Sequence, residues 1–331
     1  MRYGKHISAG LVETQKEILD RKSGKFINLS TGIQKIDDAL FGGLEPWRIL
    51  AIAGLSGSGK STLLEQLKDN LFESAKVKNI DLHVLDFSFE MLLKDSLLRV
   101  ISNRTSKSIG EIFSEDVDIT KIIAELKSRK HFVVDTVINI DEMEQVIMEF
   151  CKSDDIDRFN IVTIDHTLLT KSTTTEVEKQ IIDQLFHMLV RVKKKLSAEG
   201  NKVSFIVLSQ LNRDIESKDR VTNNMLHYPT KNDIFAASSV YYCSDYVWVV
   251  HCPANVSGIK TNYGPNLPGF PAGLPIRMLD KDTKTNKKLI YVHGIKNRFG
   301  MPNKLFAFLE DFEHARVRSI SLVSEVEYNP N

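Results

Sequence analysis

The sequence predicts an α/β domain whose mainly parallel β-sheet is flanked by helices and continued by antiparallel strands towards the C-terminus. Three observations carry that reading. Between Ile49 and His251, short apolar runs alternate with helical patterns, as expected of strands buried on both faces and connected by helices. A glycine-rich stretch joins the first apolar run directly to a helical one. Further on, the pattern changes to PIRML, LIYVHGIKN and KLFAFLED with the turn sequence DKDTKTNKK between the first two, which reads as antiparallel strands extending the same sheet.

The elements follow in order. Residues 1–25 contain LVETQKEILDRK, a short amphipathic helical pattern ahead of Gly24, with six Lys or Arg and three Asp or Glu across the segment. Its apolar side, Leu11, Ile18 and Leu19, is small for an independent domain. Residues 1–27 therefore read as an arm that docks on the body or on another subunit, or else stays mobile, and residues 28–331 as one elaborated catalytic domain. NLSTGIQKIDDALFGGL reads as a capped short helix and a Gly-Gly turn, leading to a strand at Ile49–Ala53. LHVLDF (82–87) is the next strand, followed by a helix through about Ser102 and another over 117–129. A strand at 131–134, a helix around 141–151 and the buried strand IVTID (161–165) come next. A helix over 176–198 leads to SFIVLSQ (204–210) and later YVWVVH (246–251). The segment CPANVSGIKTNYGPNLPGFPAGLP (252–275), rich in Gly, Pro and Asn, reads as a surface excursion.

Composition narrows the function. The 331 residues carry 42% apolar and 26% charged side chains, which excludes a largely disordered chain. Lys plus Arg number 44 against 43 Asp plus Glu, so any contact with nucleic acid must be local. Cys151, Cys243 and Cys252 show no paired ligand spacing, which argues against a disulfide framework or zinc cluster and fits a reducing compartment. The polar start and short apolar runs predict a cytoplasmic protein with no membrane segment.

Gly54-Leu55-Ser56-Gly57-Ser58-Gly59-Lys60-Ser61 satisfies the full P-loop pattern, between an apolar strand and the helical run STLLEQLKDNL. Glycines let backbone N–H groups surround phosphate oxygens, and the following helix turns its positive end to them. Gly54, Ser56, Gly57, Ser58, Gly59, Lys60, Ser61 and Thr62 are thus the ATP-binding candidates. Lys60 is placed to reach the β- and γ-phosphates and Ser61 to help coordinate Mg²⁺. Asp165 ends a buried strand and is the second metal-ligand candidate. His166 stands where many ATPases place an acidic base, so the base is sought in Glu90, just past LHVLDF, with Asp86 as the weaker substitute. Gln210 ends another strand, from which it can touch a γ-phosphate or its attacking water. Lys296 and Arg298 follow LIYVHGI with alternate spacing. They read either as a solvated edge pair or as cations that reach a neighbouring subunit's γ-phosphate.

These residues bring a resemblance into view. LSTGIQKIDDALFGGL, the P-loop, DFSFEM (86–91), IVTIDH (161–166), LSQLNR (208–213) and GIKNRFG (294–300) stand in an order that resembles the RecA-like ATPase domain of bacterial and phage ring-forming replicative helicases, the DnaB-like family. The likeness spans about residues 28–313. It implies that Lys60 and Ser61 bind phosphate and Mg²⁺, Glu90 activates water, Asp165 is the Walker B acid and Gln210 senses phosphate. It implies further that Lys296 and Arg298 act on a neighbour's ATP, that the N-terminal helix docks on an adjacent subunit, and that the chain forms a homo-hexamer around single-stranded DNA. Loops near 167–177 and 211–235 would line the channel with Lys171, Arg213, Lys218 and Arg220, holding phosphates without reading bases. A primase or a helicase loader enters as a further partner.

The sequence also departs from the family. It shows an arm where the family usually carries a helical N-terminal domain, and DIFAASSVYYCSD where a DLRESG-like stretch is usual; Tyr241 and Tyr242 there read as core aromatics before DNA-stacking ones. The reading is an ATP-dependent replicative helicase motor. The alternatives are a RecA-like recombination or repair ATPase, and a helicase loader or regulatory ATPase without unwinding of its own.

Overall fold

The computed structural model describes residues 6–155, 157–165, 170–222, 228–256, 262–263, 276–277, 287–302 and 304–322. Its elements run α1 (Ile7–Lys22), α2 (Gln34–Ala39), β1 (Ile49–Gly54), α3 (Lys60–Lys78), β2 (Leu82–Ser88), α4 (Leu93–Thr105), α5 (Ile109–Ser114), α6 (Thr120–Ser128), β3 (Lys130–Val134), α7 (Ile140–Cys151), β4 (Phe159–Asp165) and α8 (Glu178–Ala198). They continue with β5 (Lys202–Gln210), α9 (Lys218–Thr222), α10 (Ala237–Cys243), β6 (Tyr246–His251), β7 (Asn262–Tyr263), β8 (Ile276–Arg277), β9 (Leu289–Asn297), β10 (Lys304–Asp311) and β11 (Arg316–Leu322).

The main sheet has the order β11-β10-β9-β6-β1-β5-β4-β2-β3. From β6 to β3 every pairing is parallel, and β9, β10 and β11 extend the sheet antiparallel from β6. Successive side chains of a strand point to opposite faces, so each central strand feeds two cores. Ile49, Ala51, Ala53, Val162, Ile164, Phe205 and Val207 pack with Met143 and Ile147 of α7 and Leu185, Phe186 and Leu189 of α8. Leu50, Ile52, Ile161, Ile206 and Leu208 turn the other way, onto Leu63, Leu64, Leu67 and Leu71 of α3. Burial on both sides is why these strands read as continuous apolar runs.

The expected strands at 49–53, 82–87, 131–134, 161–165, 204–210 and 246–251 all form, as do LIYVHGIKN and KLFAFLED. Elsewhere the structure corrects the reading. The helix expected over 117–129 is confined to α6, and α5 precedes it, started by a capping box in which Ser108 and Glu111 satisfy each other's backbone N–H groups. The described residues of PIRML, Ile276 and Arg277, do not join the main sheet but pair with β7 in a separate two-stranded ladder. The ninth strand is instead β11, which was not foreseen. Most of the excursion 252–275 and of DKDTKTNKK lies outside the described residues. α1 forms as a helix, yet Ile7, Leu11, Val12, Ile18 and Leu19 are all exposed, so its apolar side does not dock on its own body.

Candidate nucleotide site

Four adjacent parallel strands end at one edge of the sheet. In register, Gly54 of β1 lies beside Gln210 of β5, and Ser88 of β2 lies beside Asp165 of β4. Open parallel sheets bind ligands at this carboxyl edge, where loops leave the strands and helix N-termini arrive. A cavity of about 450 Å³ opens there, and its lining includes Ser56, Gly57, Gly59, Lys60, Ser61, Thr62, Glu90, Asp165 and Gln210. Four separated stretches of sequence have been brought to one wall.

The loop is shaped for close approach to a ligand. Gly57 and Gly59 adopt φ of 73° and 96°, where a side chain would be strained. A Cβ on Gly54 would come within 2.6 Å of the Val250 carbonyl. Lys60 Nζ donates to the carbonyls of Gly54 and Leu55, each at 2.9 Å, folding the ammonium over the loop. Burial pushes Lys60 down to about 8, with Asp165 and Glu90 opposing the shift. Burial also pushes Asp165 up to about 6, reinforced by the negative charges of Asp86 and Glu90. A cation between the two carboxylates would bring Asp165 back down, and phosphate charge beside Lys60 would favour its ammonium form. Ser209 Oγ, buried on the same wall, has no hydrogen-bond partner among the described atoms. These donors and carboxylates fit a nucleotide triphosphate with Mg²⁺, a metal usually held by one or two protein oxygens together with phosphate and water. Among the described residues no cluster of three or more His, Cys, Asp or Glu is placed to hold a metal alone.

Asp86, the substitute base, is not among the residues lining the cavity. It is buried, ion-paired with Lys68 of α3, and accepts a hydrogen bond from Thr163 of β4. Lys68 pairs also with Glu65 at 2.6 Å. This unit clamps the helix that follows the P-loop to the strands that carry Glu90 and Asp165. His166 lies outside the described residues.

The structure adds residues that the sequence did not single out. Arg99, Ile109 and Phe312 line the cavity, and the Phe312 ring sits 3.0 Å from the position a Gly59 Cβ would take. Asn255 donates to the Gly57 carbonyl at 2.9 Å and accepts from Lys288 at 3.2 Å, bracing the loop tip. No motif announces the contacts of Asn255 and Phe312, because these residues lie about 200 residues or more downstream of the P-loop.

Lys296 and Arg298 occupy the opposite edge. Lys296 is paired with Val247 on β6, whereas Gly54 is paired with Val250 on that strand's other side, an offset of roughly 10 Å along the strand. Both cations converge on the C-terminal carbonyls of α10: Lys296 Nζ on Tyr241 O at 2.5 Å, Arg298 Nη2 on Tyr242 O at 3.1 Å. Helix C-termini attract cations in this way. Arg298 Nε also faces the buried Asp245 carboxylate at 3.5 Å. Tyr241 packs partly against the core, and Tyr242 is exposed.

Of the loop cations, Lys171, Arg213 and Lys218 are exposed. Arg220 is half-buried, ion-paired with Asp233 and bonded to Tyr228 O, so it braces the 211–235 loop from within. Phe235 N donates to Gln210 O at 2.9 Å and Asn212 N to Asp233 O at 2.6 Å, closing that loop at its neck directly beyond the strand end. Residues 166–169 and 223–227 lie outside the described residues.

Fold and site together define a P-loop NTPase of the RecA-like class. The DnaB-like helicase C-terminal domain family matches residues 28–264, well over half of the chain, and the chain belongs to it. Membership makes it an ATP-driven motor domain that hydrolyses nucleotide with Mg²⁺. The fold is shared with a solved ATPase domain at TM-score 0.74 and 17% identity, covering 96% of this chain and all of that one. A DnaB-like replicative helicase, solved together with its interactions with primase, aligns at TM-score 0.71 and 17% identity over 96% of this chain and 68% of that chain. No curated protein sequence matches the chain. No helix among the described residues is long and apolar enough to cross a membrane.

Proposed function

We propose that this chain is a cytoplasmic replicative helicase motor: a homo-hexamer that hydrolyses ATP at its subunit interfaces, moves along single-stranded DNA and separates the duplex. One observation supports it above the others. The P-loop, Glu90, Asp165 and Gln210 share one edge of the sheet, while Lys296 and Arg298 stand at the other, suited to a nucleotide held by the next subunit.

In this reading residues 1–27 form an arm and 28–331 the motor domain. The loop N–H groups of 54–61 and the Lys60 ammonium hold the phosphates, Ser61 and Asp165 would hold Mg²⁺, and Phe312 offers a flat apolar platform for the base. Mg²⁺ held there would supply positive charge to offset that of the phosphates. Glu90 accepts the proton of the attacking water, and Gln210 registers the γ-phosphate and passes its loss to the 211–235 loop through the neck at Phe235. From the neighbour, Lys296 and Arg298 stabilise the charge that develops in the transition state. Lys171, Arg213 and Lys218 contact DNA phosphates, and six copies multiply a weak local footprint. The exposed apolar side of α1 finds its partner on an adjacent subunit. A primase or a loader would be met through the assembled ring.

The experiment is ATP-dependent displacement of a forked DNA strand by size-fractionated protein, with Glu90→Gln as the activity control. Displacement by the hexamer fraction, lost in the variant, is the expected result. Hydrolysis without displacement in every fraction would move the assignment to a recombination ATPase or a loader.

A further inference from the structure

Two parts of this chain face outward to other subunits in the reading above, the arm and the Lys296/Arg298 pair. They lie far apart in sequence, yet one buried carboxylate connects them. Glu45 is only 2% exposed and divides its oxygens between two arginines: Oε1 accepts from Arg21 Nη1 at 2.6 Å and Oε2 from Arg48 Nη2 at 2.7 Å. Arg21 lies in the last turn of α1, pairs also with Glu17, and stacks on Phe26 at 3.7 Å. Arg48 lays its guanidinium 4.0 Å over the ring of Phe299, the residue that directly follows Arg298. Phe299 in turn meets Tyr246 at the start of β6, ring centroids 6.3 Å apart.

The turn that carries Glu45 and Arg48 is held stiffly. Ser204 Oγ donates to the Glu45 carbonyl at 2.6 Å and accepts from Arg48 N at 3.1 Å. Trp47 between them sits at φ 60°, a left-handed conformation costly for a large side chain, and is pinned by Trp47 N to Val203 O at 2.6 Å and Nε1 to Asn201 O at 2.9 Å. Strain held by so many contacts marks a turn whose geometry is imposed by its surroundings. On its other side Asn297 fixes the 298–300 turn through Phe299 N at 3.2 Å, Gly300 N at 2.9 Å and the Ala39 carbonyl at 2.8 Å. Arg298 is therefore aimed by a turn whose exposed aromatic side chain, Phe299 at 45%, rests on Arg48.

We propose that Glu45 and Arg48 are positioning residues through which the seat of the N-terminal arm sets the Phe299 turn, and with it the reach of Arg298 towards a neighbour's nucleotide. The inference rests on the reading that the pair acts across the subunit boundary. Removing the carboxylate charge uncouples Arg21 from Arg48, and removing the guanidinium releases Phe299. Neither residue lines the chain's own nucleotide cavity, so the damage falls on the adjacent site.

The test is DNA-stimulated ATP turnover by the assembled full chain carrying Glu45→Gln, Arg48→Met, Phe299→Leu or, as reference, Arg298→Ala. Each variant is assayed alone and mixed with Lys60→Ala protomers, whose own site is dead but whose arm and cation pair are intact. Glu45→Gln and Arg48→Met are expected to lower kcat about tenfold, with the affinity for a fluorescent ATP analogue unchanged and activity restored in the mixture. Phe299→Leu, an exposed change that keeps the fold, is expected to lower kcat in the same direction at unchanged melting temperature. If Arg298→Ala is rescued in mixtures while Glu45→Gln and Arg48→Met are not, or if Phe299→Leu turns over at the full rate, the positioning role is overturned and the reading of the pair survives. If Arg298→Ala itself is not rescued, the trans reading falls and takes this inference with it.

Discussion

The two edges of the parallel sheet are built by different means. At the carboxyl edge, functional residues sit at or just beyond strand ends, so the register of β1, β5, β4 and β2 places the P-loop, Gln210, Asp165 and Glu90 together. At the other edge, Lys296 and Arg298 are aimed by their own side-chain contacts with groups from elsewhere: the α10 backbone carbonyls and the side chains of Asp245, Arg48 and Glu45. One edge is made by backbone topology and the other by long-range side-chain contacts. The first should therefore fail through lost chemistry, and the second through lost alignment.

Removing the chemistry gives the largest expected effect. Glu90→Gln should cut phosphate release by about 10²–10⁴-fold while ATP still binds; a variant that hydrolyses at the wild-type rate would remove Glu90 from the role of base. Arg298→Ala should lower turnover by about 10³-fold with nucleotide affinity intact. An equal loss of affinity would place Arg298 at its own site and collapse the distinction between edges.

The support beneath the carboxyl edge is open to a stability measurement. Lys68→Met leaves the Asp86 carboxylate buried and unpaired, and unfolding in urea should show a loss of about 3–5 kcal/mol. Adding Asp86→Leu should recover most of it, since an apolar pair replaces the ion pair. Failure of the double variant to recover would mean that Thr163, which donates to Asp86, and His131, whose Nε2 lies 3.6 Å from it, depend on Asp86 more than Lys68 does.

Proton linkage tests the same edge. In the empty protein Asp165 becomes protonated as pH falls through about 6, losing its attraction for metal. Lys60 becomes neutral as pH rises through about 8, losing its attraction for phosphate. Capture of ATP with Mg²⁺ should therefore be tightest between these values and weaken by about tenfold one unit beyond either, as titration of a fluorescent nucleotide at fixed ionic strength would show. A flat profile would mean that neither group carries the binding. The smallest expected effect is at Phe312: Phe312→Ala should weaken nucleotide binding by about five- to tenfold, about 1 kcal/mol of stacking, with kcat preserved.

The legible part of the site follows one rule. Glycine spacing in a P-loop reports backbone conformation, and Asp165 and Gln210 close apolar runs whose length shows where the strand must end. Phe312 and Asn255 follow no such rule. Their neighbours in the cavity come from the other end of the chain, and a phenylalanine after LED looks like any other. β11 was missed because its alternation begins immediately after a short turn at Phe312–His314, where no glycine or proline marks a hairpin. PIRML misled in the opposite sense: an apolar run gives strand character but not its partner.

By itself, then, the sequence determined the alternation of strands and helices, the phosphate loop and the carboxylates at the strand ends, because local period and glycine stereochemistry dictate them. The tertiary structure alone decided that α1 leaves its apolar side exposed, that Lys68 neutralises Asp86 beneath the site, and that Glu45 ties Arg21 to Arg48 and so to the Phe299 turn. The last two depend on which distant charges meet in a low-dielectric interior, where an unpaired ion is too costly to persist. Local pattern carries no information about that pairing, and packing does.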